Sequence, residues 1–293
     1  MSQDLINIIP NDWHHWSKAR PTVVRALAGG LTNNAFLVES ADQRMVLRIN
    51  SSISDQLNLD RAAEQQALQA ATYSDSCAPL VYCDPHYRYL VTRYIEGTPW
   101  DKNVAHSLEK LADLLRRIHG SPAIDAQLNI GEKISSYRQF IDKRASYFHL
   151  LDTLQEKLPQ LIDAAYRMGD EICLCHNDLT VGNLIWAPSD KLYAIDWEYA
   201  AMGDKFYDLA VLVEEHSLNQ REQNSLLECY LNRTVSPEDN QRLELWQLIY
   251  GYLCILWHGV QWSNQTQRSP EQGRYIGKKA QQLLKGLSAH SLS

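Results

Sequence analysis

Residues 176–208 read HNDLTVGNLIWAPSDKLYAIDWEYAAMGDKFYD, and the polar residues spaced along this stretch govern how the rest of the chain is read. Asp178, Asn183 and Asp196 match three needs of phosphoryl transfer from a nucleotide. A carboxylate orients the attacking hydroxyl and takes its proton, while an amide oxygen and a second carboxylate hold Mg2+ on the triphosphate. The apolar run 172–175 leads into His176 and Asp178. A loop then reaches Asn183, the segment 184–186 is turned by Pro188-Ser189-Asp190, and 192–195 returns with Asp196 at its end. A hairpin in that place carries Asn183 and Asp196 toward each other, as a shared metal requires. Any one of these polar residues alone reads as a solvated loop group; the spaced set does not.

Outward from this stretch, composition sets the bounds. At 293 residues, 45% hydrophobic and 22% charged, the chain is long enough for two lobes and is not disordered in bulk. A formal charge of −7 argues against a nucleic-acid partner and is compatible with a cationic substrate. The N-terminus lacks the basic start and apolar core of a signal peptide, and the apolar segment 248–260 is too short to span a bilayer. A cytoplasmic location without membrane attachment is expected. Six scattered cysteines lack paired spacings, so reduced thiols are expected, and Cys173-x-Cys175 is not expected to hold zinc.

Upstream, residues 1–20 read as an amphipathic cap or a loose lead-in, with Trp13 and Trp16 at helical spacing. Strands are expected at 22–28, 35–40 and 44–50. Gly29-Gly30-Leu31-Thr32-Asn33-Asn34 lies between the first two. It serves either as a hairpin turn or as a loop whose backbone amides approach phosphate oxygens. Arg48 sits inside an apolar strand and needs neutralising, and Glu64 on the helix expected at 57–71 can do so. The pair is either a structural salt bridge or the ion pair that positions nucleotide phosphates, with a planar fork in place of a lysine's point charge. Residues 89–95 form a further strand. Leu108, Leu111, Leu115 and Ile118 recur at helical spacing up to His119-Gly120, and His119 is expected to pack behind the catalytic loop. Helices are expected at 134–151, 153–168 and 206–216. Asp208 on the last of these is expected to brace the catalytic loop as structural support.

HNDLTVGN followed by IDWEYA and YDLA resembles the aminoglycoside phosphotransferase and choline kinase superfamily. Glu198-Tyr199 and Asp208-Leu209-Ala210 are most similar to its choline/ethanolamine kinase and bacterial thiamine kinase branches. The resemblance implies an α+β, protein-kinase-like, two-lobed fold: residues 1–95 as a nucleotide-binding lobe of antiparallel sheet and one helix, and 96–293 as a mainly helical catalytic and substrate-binding lobe. It implies ATP and Mg2+ as cofactors. Asp178 and His176 form the catalytic pair, with His176 supporting the loop backbone, and Asn183 and Asp196 are the metal ligands. Gly29, Gly30, Thr32, Asn33, Arg48 and Glu64 attend the phosphates, and Thr92, Arg93 and Tyr94 lie near the adenine. Arg in place of Lys at position 48 is usual in the choline kinase branch.

For the acceptor, the resemblance points to Glu198, Tyr199, Glu215 and Trp257. Trp257 matches the second tryptophan of the Trp-x-x-Trp pair of choline kinases; the first position is Cys254 here, and the tyrosine expected near Lys278-Lys279 is missing. The rings at 246, 250, 252, 257, 262 and 275 form a cation box or core. The expected activity is transfer of the γ-phosphoryl group to the primary alcohol of a small cationic metabolite, choline/ethanolamine or thiamine. An aminoglycoside-type phosphotransferase and an inactive nucleotide-binding module are the alternatives. An adaptor presenting its tryptophans to a partner requires Trp257 and Trp262 to be exposed. The expected partner is a small-molecule alcohol, with a homodimer as the possible assembly.

Overall fold

Strand alternation in one short segment explains how the smaller lobe is layered. In β3 (Gln43–Ile49), Met45 and Leu47 are buried on one face of the sheet, and Arg48 therefore points to the other. The computed structural model describes residues 8–27, 33–41, 43–51, 57, 59–169 and 171–289. With β1 (Thr22–Leu27), β2 (Asn34–Ser40), β4 (Leu80–Cys83) and β5 (Tyr89–Arg93), β3 forms an antiparallel sheet in the order β1-β2-β3-β5-β4. Ile9 and Trp16 close the Met45/Leu47 face together with Val38, Tyr89 and Val91. Among the described residues of the lead-in, Trp13–His15 form one short 3-10 turn and Trp16 is buried in the core.

The opposite face of the sheet receives α1 (Arg61–Tyr73). It starts at Arg61, later than the expected 57, because the Asp60 carboxylate caps the amides of Ala62 and Ala63 at 3.0 Å. Glu64 then lies in the first turn, where the helix dipole favours a negative charge. The buried side chains of α1, including Ala67, Leu68 and Ala71, join the large core of the helical part rather than the Met45/Leu47 core.

The larger lobe contains α2 (Ser107–His119), α3 (Ile130–Gln139) and α4 (Phe148–Arg167). The last two correct the expected 134–151 and 153–168. Asn129 caps the amide of Glu132 and starts α3 early, and residues 140–147 are turns rather than helix. Next come α5 (Lys205–Glu215), α6 (Gln220–Leu231), α7 (Pro237–Ser263) and α8 (Pro270–Ala289). The 27-residue α7 opens on a capping box between Ser236 and Asp239 and packs on α3, α4, α5 and α8. No helix among the described residues is long and apolar enough to cross a membrane.

Two small sheets carry the loops between them. β7 (Ile172–Cys175) pairs with β10 (Ala201–Asp204), while β8 (Leu184–Trp186) lies between β6 (Thr98–Pro99) and β9 (Leu192–Ala194). The crossing strap is tight at Gly97, where a Cβ would lie 2.4 Å from the Trp186 carbonyl oxygen. The β8–β9 hairpin turns at Asp190, in the left-handed region with φ 62°, and Ile195 N–H donates to Asn183 O at 2.9 Å. That bond sets Asp196 beside Asn183.

Candidate active site

The catalytic loop leaves β7 at His176 and is held from behind. Asp208, fully buried on α5, accepts from the amides of His176 (2.9 Å) and Asn177 (2.7 Å) and from His119 Nε2 (3.2 Å). His119 Nδ1 in turn accepts from Tyr230 OH at 2.7 Å. Asn177 is left-handed at φ 64°, and its side-chain amide donates to Tyr199 O. These bonds fix the turn that presents Asp178. His216 adds a further tie by donating to Leu179 O at 3.0 Å.

His176 itself is fully buried and does not line the cleft. Its Nε2 donates to Ile195 O at 3.0 Å and its Nδ1 accepts from the Asp178 amide at 3.3 Å, an arrangement that needs the neutral ring. Burial holds its pKa down at about 4, so it stays neutral. These bonds tie its ring to the loop backbone rather than to the cleft.

Asp178, Asn183 and Asp196 line one cleft of about 340 Å³. Asn183 Nδ2 donates to both the backbone oxygen (2.8 Å) and Oδ2 (2.9 Å) of Asp178. Asp196, left-handed at φ 63°, accepts from Arg48 Nη1 at 2.7 Å. Burial, then the neighbouring Asp196, Glu198 and Glu215 carboxylates, push the Asp178 carboxyl well above the usual range. Asp196 is also raised, by burial first, with Arg48 opposing. Such mutual repulsion is relieved by a hard divalent cation among the oxygens, so the donor set fits one.

Arg48 also holds Glu64, with Nη1 2.5 Å from Oε1 and Nη2 2.6 Å from Oε2, and it reaches Asn50 Oδ1 through Nε and Nη2. Burial would lower its pKa; Glu64 and Asp196 outweigh that and raise it. Arg61, which the sequence reading passed over, continues the network by donating to Glu64, Glu198 and Asn33. Asn33 Nδ2 donates to Glu198 Oε2 at 2.7 Å, and Asn33 Oδ1 accepts from the Ser51 amide. The Asn33 side chain is therefore engaged in a bond across the lobes rather than aimed at a phosphate, and one Glu198 oxygen is held by Asn33 and Arg61. Gly29, Gly30 and Thr32 lie outside the described residues.

Thr92 and Arg93 belong to β5, with Tyr94 just past its end. The Arg93 amide donates to Pro79 O and the Tyr94 amide to Arg44 O, so neither amide is open to a base. None of the three lines the 340 Å³ cleft.

Farther along the cleft, Tyr250 OH donates to Glu215 at 2.6 Å, and Trp257 Nε1 donates to Tyr199 OH at 3.1 Å. Trp246 and Tyr252 are fully buried, so those two rings are core. Trp257 and Trp262 are half-buried, the former facing the cleft and the latter packed on Tyr147 and Arg268, so neither offers the exposed face an adaptor needs. Tyr137, Tyr207 and Lys133 also line the cleft and carried no signal in the sequence. Lys133 Nζ stands 4.7 Å from the Tyr199 ring centroid and 5.6 Å from that of Tyr137. Burial holds its pKa down at about 8, with Glu198 and Asp178 opposing. Behind the loop, the Cys173 and Cys175 sulfurs lie 3.9 Å apart with His119 beside them, and both nitrogens of that ring are already hydrogen-bonded.

Residues 23–246 match the model of the phosphotransferase enzyme family. The protein LicA of Haemophilus influenzae is 27% identical over 250 residues, covering 79% of this chain and 71% of LicA. Among solved structures, the choline kinase LicA from Streptococcus pneumoniae superposes with a TM-score of 0.76 at 22% identity, covering 90% of this chain and 95% of that one. A LicA complex with AMP gives 0.79 at 21% identity, covering 99% of both chains. These superpositions show the kinase-like two-lobed fold.

Proposed function

Since the chain belongs to the phosphotransferase enzyme family typified by aminoglycoside and choline kinases, we propose that it moves the γ-phosphoryl group of ATP to the alcohol oxygen of a small amine-bearing metabolite, of the choline, ethanolamine or thiamine kind. The observation that carries this reading is the convergence of Asp178, Asn183 and Asp196 on one cleft, with Arg48 bonded to Asp196. The AMP held by a protein of the same fold supports a nucleotide as donor.

In this reading Asp178 orients the incoming hydroxyl and accepts its proton, and the Asn183 amide fixes the Asp178 rotamer. Asn183 and Asp196 would hold Mg2+, which when bound supplies charge neutralisation on the triphosphate oxygens. Arg48, kept in place by Glu64, adds a fixed positive charge on the same side. Because little covalent chemistry falls to the protein, positioning and charge contribute most of the rate. The amine end of the acceptor is received by Glu215 and the Tyr250 and Trp257 rings.

The test is coupled ADP release over a panel of choline, ethanolamine and thiamine. Asp178→Asn is expected to lose turnover by about 10²- to 10⁴-fold while retaining Mg-ATP binding, and Asp196→Ala to lose both. Unimpaired turnover by Asp178→Asn overturns the assignment.

A further inference from the structure

Lys133 is badly placed for stability alone. It lies in the first turn of α3, just after the Asn129 cap, where the helix dipole disfavours a cation. It is half-buried, lining both the 340 Å³ cleft and an adjoining hollow of about 250 Å³. Among the described residues its ammonium is in reach of the Tyr199 and Tyr137 ring faces, and no hydrogen bond to a protein acceptor is formed by Nζ. An ammonium carries three N–H donors and no acceptor, so those donors open onto the cleft.

Two consequences follow from that geometry. A quaternary ammonium is bound through aromatic faces, and the faces of Tyr199 and Tyr137 already carry a cation. A second, permanently charged head group at that place meets like-charge repulsion without any hydrogen bond to offset it. The unmet donors call instead for an anionic oxygen acceptor, and a carboxylate supplies both charge and lone pairs. The geometry points to Lys133 as a specificity residue that pairs with a carboxylate on the acceptor alcohol and excludes a trimethylammonium group. The substrate class is then a zwitterionic amino alcohol, its amine directed to Glu215 and its carboxylate to Lys133. This inference rests on the phosphotransferase reading of the same cleft.

Three probes differing by one group each test it. Ethanolamine is the bare amino alcohol, L-serine adds a carboxylate to it, and choline adds three methyls. Titration calorimetry on the full-length wild type, Lys133→Met and Lys133→Arg gives the ratio of choline to serine dissociation constants, with thermal unfolding as the check that each variant is folded. The wild type is expected to favour serine by about tenfold or more, the order of one charge-assisted hydrogen bond. Lys133→Met should collapse that ratio by a similar factor, and Lys133→Arg, which keeps the charge, should restore it. A ratio unchanged within twofold in folded Lys133→Met overturns the role of Lys133, as does failure of both probes to bind any of the three proteins. Absence of phosphoryl transfer by wild type, with the ratio still moved by Lys133→Met, overturns the kinase reading and leaves Lys133 as the selector.

Discussion

Replacing Asp208 by Asn tests the support of the catalytic loop with almost no change of shape. Oδ1 of Asp208 accepts from the Asn177 amide, and Oδ2 accepts from the His176 amide and His119 Nε2. In the asparagine the oxygen does best at the Oδ2 site, where it keeps two donors. The new NH2 group then faces the Asn177 N–H, donor against donor. A buried hydrogen bond to a charged acceptor contributes about 1.5–3 kcal/mol, and leaving its donor unmet carries the desolvation penalty, so a loss of about 2–3 kcal/mol follows. That corresponds to a fall in thermal midpoint of about 3–5 °C in a chain of this size. It also corresponds to a drop of about 30- to 150-fold in hydrogen-exchange protection of the Asn177 amide. Exchange by mass spectrometry or NMR reads the amide, calorimetry reads the midpoint, and ADP release should fall with them because Asp178 sits one residue on. Protection of Asn177 within threefold of wild type, with an unchanged midpoint, refutes the claim that Asp208 holds the loop.

Two further perturbations address other parts of the site. For His176 the folded pKa, about 4, lies below the unfolded value of 6.5. Between those values the unfolded chain binds more protons, so stability rises with pH through this window and is lost as pH falls. The contribution is about 3 kcal/mol; urea titrations at pH 4.5, 5.5 and 6.5 should show it, and His176→Gln, which keeps a donor for Ile195 O, should flatten it. Arg48→Lys replaces a fork that reaches Glu64, Asp196 and Asn50 by a single point of charge. At least one of those acceptors loses its partner, which costs about 1–3 kcal/mol. Urea melts should record that loss and ATP titrations a weakened affinity; a lysine variant as stable as wild type removes the fork from the argument.

The catalytic loop was legible because its chemistry is compressed into residues 176–208, where turn residues and short apolar runs dictate a hairpin with few alternatives. The Arg48–Glu64 pair was legible for a related reason: a cation in an apolar strand demands a partner, and the next helix offers one early. Lys133, Tyr137 and Arg61 were not. They reach the site from helices far away in sequence, and at each a charged or aromatic residue on an amphipathic helix looks like any surface or core position. The α3 and α4 boundaries failed where apolar spacing runs on through the 140–147 turns. The capping Asn129 was the better marker of where α3 begins. Asn33 reads as a phosphate donor because its amide ends a loop that opens on Gly29-Gly30, and only the coordinates show that amide joined to Glu198, 165 positions away.

The placement of α1 has a consequence for how such a chain can be divided. By sequence it belongs with the sheet, yet Ala67, Leu68 and Ala71 are embedded with α2 and the helices that follow. A fragment ending at residue 95 would keep the Leu80, Cys83 and Leu90 side of that bed but bare the rest of the rod, and the remainder would keep a trench where the rod lay. Shuffling of halves between relatives, or expression of the sheet alone, should therefore yield aggregating material. A cut at the turn before Arg61 fares no better, since it parts β5 from β3 in the middle of the sheet, so a chimaera should exchange the two cores together.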